Sequence, residues 1–198
     1  MRGRTPKVLA TTWIDTARRV LIEDGIGGVK IDRLANRLGV SRGGFYHYFG
    51  DRDILLEKLL DHWEESCRFL PTQTLGTTPA AALAWLEGMT ERLIEEDGYD
   101  HHFDMAVRDW ARSDRRAEWA VERADRARMQ QLERAFAVLG YGNDEAALRA
   151  RIYYYHQIGY YAIGVRESIT DRRRNAQLYH EILFGIAATK LVEDAAKG

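Results

Sequence analysis

The sequence predicts an all-α protein, and three observations carry that reading. Apolar residues recur at helical spacing through almost all of the 198 residues. No run alternates β-branched with polar residues, and no Asn-Gly pair offers a hairpin turn, so strands have no signal. The interruptions are short and rich in glycine or proline, the residues that end helices. A hydrophobic fraction of 45% is enough for a core, in one large helical domain or two small ones.

The elements follow in order. Residues 1–6 are a basic arm ending in Pro6, expected to be disordered. From Lys7 to Asp24, Leu9, Trp13, Ala17, Val20 and Leu21 share one helical face, and Gly25, Gly27 and Gly28 end the helix. Ile31, Leu34, Ala35 and Leu38 fall at i, i+3, i+4 and i+7 of a short second helix, closed by Gly39, where a left-handed cap suits a residue without Cβ. Ser41 is placed to cap a third helix whose inner face carries Phe45 and Phe49. The connection of about four residues between helices two and three is that of a helix-turn-helix.

Arg42, Gly43, Tyr46 and His47 are then left outward. That face is poorly built for stability, since an interior glycine costs about 0.5–1 kcal/mol against alanine. It is well built for a groove: glycine allows close backbone approach, arginine reaches guanine or phosphate, and a tyrosine hydroxyl bonds phosphate.

Asp51-Arg52-Asp53 start a fourth helix running to residue 69, its inner face read as Ile54, Leu55, the stem of Lys58, Leu59 and Trp63. Residues 71–79, bracketed by Pro71 and Pro79, are the clearest break. Helical patterns resume over 80–96 (Leu83, Leu86, Met89, Thr90, Leu93), 103–112 (Phe103, Ala106, Val107, Trp110) and 115–139 (Trp119, Ala120, Met129, Leu132, Phe136). After a turn at 140–143, helices over 144–167 and 172–195 complete the chain. The sequence is divided into a helix-turn-helix domain, 1–52, and a helical body, 53–198, with the fourth helix shared between them.

The formal net charge is only −1, but its distribution is uneven. Residues 1–52 hold ten Lys/Arg against five Asp/Glu, which leaves the remainder acidic. A basic first quarter on an acidic body fits one end facing a polyanion. Cys67 is the only cysteine, so no intramolecular disulfide forms and a reducing compartment is expected. The N-terminus has no signal-peptide pattern, and no stretch reaches the about 20 apolar residues that span a bilayer. A cytoplasmic protein without membrane attachment is expected.

With these residues in place, residues 9–60 resemble the DNA-binding domain of TetR-type transcriptional regulators. The resemblance rests on Ala17 and Gly25, on Ile31, Leu34, Ala35 and Leu38-Gly39-Val40-Ser41, on Phe45-Tyr46-His47-Tyr48-Phe49, and on Arg52 and Leu55. It implies that the first helices bind double-stranded DNA, that the body binds a small molecule, and that two chains pair through the last two helices. The DNA contacts it implies are Lys30, Arg42, Gly43, Gly44, Tyr46, His47, Tyr48 and Arg52, the last standing where the family usually has lysine. Asp32 departs from the pattern: some members place a base-reading arginine there. An aspartate repels phosphate, so Asp32 is expected to cap helix two and base reading to fall on helix three.

In the body, Leu148, Ile152, Tyr155, Gly159 and Ala162 share one seam, and Leu178, Ile182, Gly185, Thr189 and Val192 another, both at alternating four- and three-residue spacing. Such seams suit pairing with a second copy. Trp85, Met89, Phe103, Trp110 and Trp119 are candidates for the lining of an apolar pocket. His101-His102-x-Asp104, with His156 and His180, raises a metal reading, but the Glu-x-x-His pairs of bundle metal sites are missing and His102 and Asp104 point apart on a helix. Solvated residues at a helix start are expected there instead. The function read from all this is a non-enzymatic, sequence-specific DNA-binding regulator without cofactor. It is expected to be a homodimeric repressor released from a palindromic operator by a small apolar or aromatic effector. The alternative is a helical-bundle metal protein or enzyme with a vestigial helix-turn-helix, for which no nucleophile–base pair speaks.

Overall fold

A computed structural model describes residues 9–185. Among the described residues all regular elements are helical: α1 (Ala10–Asp24), α2 (Ile31–Leu38), α3 (Arg42–Tyr46), α4 (Arg52–Ser66), α5 (Pro79–Glu95), α6 (His101–Ala111), α7 (Arg115–Val138), α8 (Asn143–Ile163) and α9 (Ile169–Phe184), with a single 3-10 turn at Ile26–Gly28. None of these helices is long and apolar enough to cross a membrane.

The chain divides into two compact units. One takes the described residues up to Cys67 together with Asp100–Glu122; the other takes Arg68–Tyr99 and the described residues from Arg123 on. Compactness therefore divides the chain elsewhere than at residue 52. The element expected to be shared, α4, lies wholly in the first unit, and the division falls inside α7.

In the first unit α1 buries Trp13, Thr16, Ala17, Val20 and Leu21. The chain then turns at Gly25 (φ 69°) and passes Gly28, where a Cβ would sit 2.8 Å from that of Asp24. The second helix ends at Gly39 in the left-handed region (φ 66°, ψ 30°). Gly39 N–H donates to Asn36 and Val40 N–H to Ala35, so the last carbonyls of α2 are satisfied by the turn itself. Ser41 stands at the N-cap of α3, but its hydroxyl makes no capping bond. The Asp51 carboxylate does cap α4, accepting from Ile54 N–H at 2.9 Å.

The buried face of α4 is Leu55, Leu56, Leu59, Leu60 and Trp63. Ile54 is 40% exposed and Lys58 pairs outward with Asp61, so the inner stripe is rotated from the one the sequence suggested. Trp63 Nε1–H donates to Asp104 Oδ1 at 3.0 Å, and Arg108 Nε–H donates to Asp104 Oδ2 at 2.8 Å. Asp104 is fully buried, which corrects the expectation of a solvated helix start: it ties α4 to α6. Asp100 caps α6, accepting from Phe103 N–H at 3.0 Å, and pairs with Arg18 of α1. At the start of α7, Arg116 bridges Asp53 (3.1 Å) and Asp114 (2.9 Å). Its hydrogen bond holds the Asp114 carboxyl down at about 2.

In the second unit Thr78 caps α5, accepting from Ala81 N–H at 3.2 Å, and Pro79 takes the first helical position, where a missing N–H costs nothing. The core gathers Leu86, Met89, Leu93, Leu132, Phe136, Tyr153, Tyr154 and Phe184. Inside it the Thr90 hydroxyl donates to Leu86 O (3.0 Å) and meets Tyr153 Oη (2.8 Å) and His180 Nε2 (3.0 Å). A hydroxyl has one proton, so with that proton on Leu86 O both Tyr153 and His180 donate to Thr90. His180 is then neutral with its proton on Nε2, and its ring stacks on Phe184.

Burial lowers the His180 pKa from 6.5 to about 4. The unfolded chain therefore binds more protons than the folded chain between these values. Stability is in full above pH 6.5 and is lost as pH falls toward 4. His156, also lowered by burial first of all, acts in the same direction. Thermal unfolding should show a midpoint falling through this window, and His180→Gln should flatten the fall. An unchanged slope in the variant would remove His180 from the pH response.

Candidate nucleic-acid interface

The outward face of the helix-turn-helix is built by burial of its inner side. α3 has only five residues, too few to hold a helix unaided. Phe45 is fully buried, its ring edge-on to Trp13 at 5.4 Å and 5.1 Å from Phe49. With Phe45 and Phe49 fixed inward, Arg42, Gly43, Tyr46 and His47 are exposed on α3 and its C-cap, and Lys30 is exposed at the start of α2. Tyr46 is 56% exposed.

Not every residue expected at this surface is offered to it. Arg52 is turned inward: its Nε–H donates to Val29 O at 2.6 Å and its Nη2 to Ile26 O at 3.1 Å. It clamps the connection between α1 and α2, where the sequence reading gave it a phosphate. Tyr48 is half-buried with its hydroxyl enclosed, so that oxygen is not offered to phosphate as placed. Gly44 is half-buried, a Cβ there lying 3.8 Å from the Trp13 ring. Asp32 makes no cap: the N-cap of α2 is Lys30 and carries no side-chain bond. Its carboxylate instead pairs with Arg42, Oδ1 to Nε at 3.1 Å. Sequence reasoning missed this because the two residues belong to different helices.

The other candidate sites fare unevenly. Leu148 (51%), Ile152 (45%), Tyr155 (59%), Leu178 (57%) and Ile182 (71%) are all exposed apolar residues of α8 and α9, and Gly159 is half-buried. Gly185 departs from the seam. It is the C-cap of α9 (φ 86°), and a Cβ there would collide with the Tyr141 hydroxyl of its own chain. Thr189 and Val192 lie outside the described residues, as does the basic arm 1–6. Of the aromatic candidates, Trp85 lines an open groove with a volume of about 440 Å³, together with Leu70, Pro71, Leu75 and Arg134. Met89 is closed in the core of the second unit, Phe103 and Trp110 in that of the first. Trp119 is 57% exposed with Arg115 over its ring. The five therefore do not share one lining. Among the described residues no group of three or more His, Cys, Asp or Glu could hold a metal ion.

Two substitutions test this placement. Arg52→Ala should lower the thermal stability of the protein by about 1–3 kcal/mol, the cost of leaving the carbonyl of buried Val29 unpaired, with the salt slope of DNA binding unchanged. A slope reduced by about one unit would return Arg52 to the phosphates. At Gly43 a Cβ would meet only Ser41 Oγ, at an ordinary 3.6 Å, so nothing within the chain demands glycine. Gly43→Ala should leave stability unchanged or raise it by about 0.5–1 kcal/mol, yet weaken DNA binding. An alanine variant that binds DNA as well as the parent would show that the glycine does not serve groove approach.

Comparison with known proteins agrees with this geometry. Residues 14–59 match the family model of bacterial regulatory proteins, tetR family. No curated protein is similar enough in sequence to count as a relative. Among solved structures, a TetR transcriptional regulator from Agrobacterium tumefaciens is 20% identical, with a TM-score of 0.66 over 98% of this chain and 100% of that one. The ketosteroid transcriptional regulator KstR2 of Mycobacterium tuberculosis is 15% identical, with a TM-score of 0.59 over 91% and 97%. BioQ, solved with its double-stranded DNA operator, is 18% identical, with a TM-score of 0.50 over 89% and 95%. Residues 14–59 carry the sequence pattern of the tetR-family regulatory proteins, and the chain as a whole has the fold of these solved regulators.

Proposed function

We propose that the protein is a homodimeric repressor that reads a palindromic operator with α3 and is released from it by a small apolar or aromatic effector. The observation that carries this reading is the pairing of two exposed surfaces that the fold does not need. One is the Arg42, Gly43, Tyr46 and His47 face of the head. The other is the apolar surface of α8 and α9. A monomer rarely exposes a contiguous apolar area of that kind without a partner. An isologous pair of chains covers it with a second copy of itself. Two-fold symmetry then dictates the operator: two recognition helices related by a dyad read two inverted half-sites about one helical turn apart, or slightly more.

The groove beside Trp85 supports the effector part. Its volume lies within the about 300–1,000 Å³ range of small-molecule sites, and Leu70, Pro71, Leu75 and Trp85 give it apolar walls, with Arg134 as a polar anchor. An effector that favours the released arrangement by about 1–3 kcal/mol is enough to switch occupancy.

Selection of bound DNA from a random pool is the test of the reading, with an inverted repeat as the expected winner. The full-length protein should sediment as a dimer at micromolar concentration. Leu178→Glu with Ile182→Glu should make it a monomer of undiminished helical content that no longer holds the repeat. A monomeric parent would sink the symmetric reading. Gly185 is left alone in this design, because a side chain there strikes Tyr141 and would unsettle α9 for reasons unrelated to pairing.

A further inference from the structure

The pair between Asp32 and Arg42 is chemically odd for a surface that meets a polyanion. Asp32 is on the first turn of α2 and Arg42 is the first residue of α3. Their side chains are 67% and 66% exposed, and they meet at Oδ1 to Nε, 3.1 Å. A carboxylate here repels phosphate, and an exposed ion pair stabilises a fold by only about 0–1 kcal/mol. Neither DNA affinity nor stability accounts for it well. The atom at which they meet does. Guanidinium recognition of guanine O6 and N7 uses two parallel N–H donors. An acid whose nearest approach is to Nε leaves Nη1 and Nη2 available to a second acceptor.

We propose that Asp32 is a positioning residue for base reading: it grips the Nε side of Arg42 so that the terminal nitrogens are presented together to one base edge in the major groove. The inference rests on the reading that Arg42 contacts a base. The carboxylate restricts the rotamers of a long side chain before binding, so less order has to be imposed in the groove. It also lowers affinity for DNA in general, because its charge opposes every phosphate while its help is delivered only where a guanine receives the fork. Asp32 thereby raises discrimination through both the site it aids and the sites it penalises. The alternative is that Asp32 serves only the N-terminal dipole of α2, in which case its removal should touch stability and nothing else.

The experiment measures binding of the full-length protein to its selected site, to that site with each base pair changed in turn, and to unrelated DNA. Arg42→Ala should erase preference at one position per half-site, a discrimination of about 5–150-fold. Asp32→Ala should relax that same position about fivefold or more while tightening binding to unrelated DNA. Asp32→Asn, which keeps the shape but loses the charge that holds Arg42, should relax it nearly as far as Asp32→Ala. The double variant should be no less selective there than Arg42→Ala alone. Thermal midpoints should stay close to the parent, the pair being exposed. The proposal is overturned if Asp32→Ala leaves the Arg42 position as selective as before, or relaxes a different position. It is also overturned if the two substitutions act independently. If Arg42→Ala alters no single position, the base-reading role of Arg42 fails first and this inference with it.

Discussion

The burial of Phe45 is the constraint on which the head depends. A helix of five residues has one turn of hydrogen bonds and cannot offset the cost of its own nucleation. It is present because Phe45 is held at 0% exposure against Trp13 and Phe49. Trp13 comes from α1, so the direction of α3 is set by the first helix of the chain. Gly39 makes the geometry possible from the other side: in the left-handed region it turns the chain within one residue and lets Val40 N–H reach back to Ala35 O. Once these two points are fixed, the outward direction of Arg42 and Tyr46 follows from helical periodicity alone.

In the second unit the informative helix is α8, which is apolar on two sides. Ala146, Ala150, Tyr153, Tyr154 and Tyr161 are buried, while Leu148, Ile152, Tyr155 and Ile163 face out. A surface helix of a monomer needs one apolar stripe. The second stripe has no partner among the described residues, and α9 repeats the pattern with Ala176 and Phe184 inward and Leu178 and Ile182 outward. That both helices keep a second apolar face is the physical ground for reading them as a pair-forming surface.

What was legible in the sequence is what local spacing decides. Phe45 and Phe49 inward, Gly39 at the cap, Pro79 at the start of α5 and the break before it all depend on neighbours within a few residues. What was not legible depends on partners far along the chain. Arg52 finds carbonyls 23 and 26 residues away, and an arginine at the start of a helix looks the same in sequence whichever way it turns. Asp104 meets Trp63 across 41 residues, and no periodicity announces a buried carboxylate. The α4 stripe was read with Ile54 in place of Leu56 and Leu60, because a run of apolar residues on every side leaves the phase of the helix open. The pocket candidates scatter for the same reason: an aromatic at helical spacing is lining, as Trp85 is, or core, as Phe103 and Trp110 are, depending on what packs beside it.

The same long-range bonds shape how an effector signal can travel in the proposed switch. A tilt of α4 alone is disfavoured. Trp63 of α4 donates to the buried Asp104, which Arg108 holds within α6, and a tilt that parted the two helices would strip the Trp63 donor from a buried carboxylate. Arg116 adds a second tie at the other end, from the start of α7 to Asp53 of α4. The first unit is therefore expected to move as a body. Between the units the chain crosses at Cys67–Arg68, Tyr99–Asp100 and Glu122–Arg123. The first two crossings are pinned on each side, Cys67 Sγ–H to Asp100 O within the first unit and Arg68 N–H to Gly98 O within the second. The third runs through uninterrupted helix. A ligand signal that spares these bonds is then better matched to moving the helices of the first unit together than to bending α4 alone.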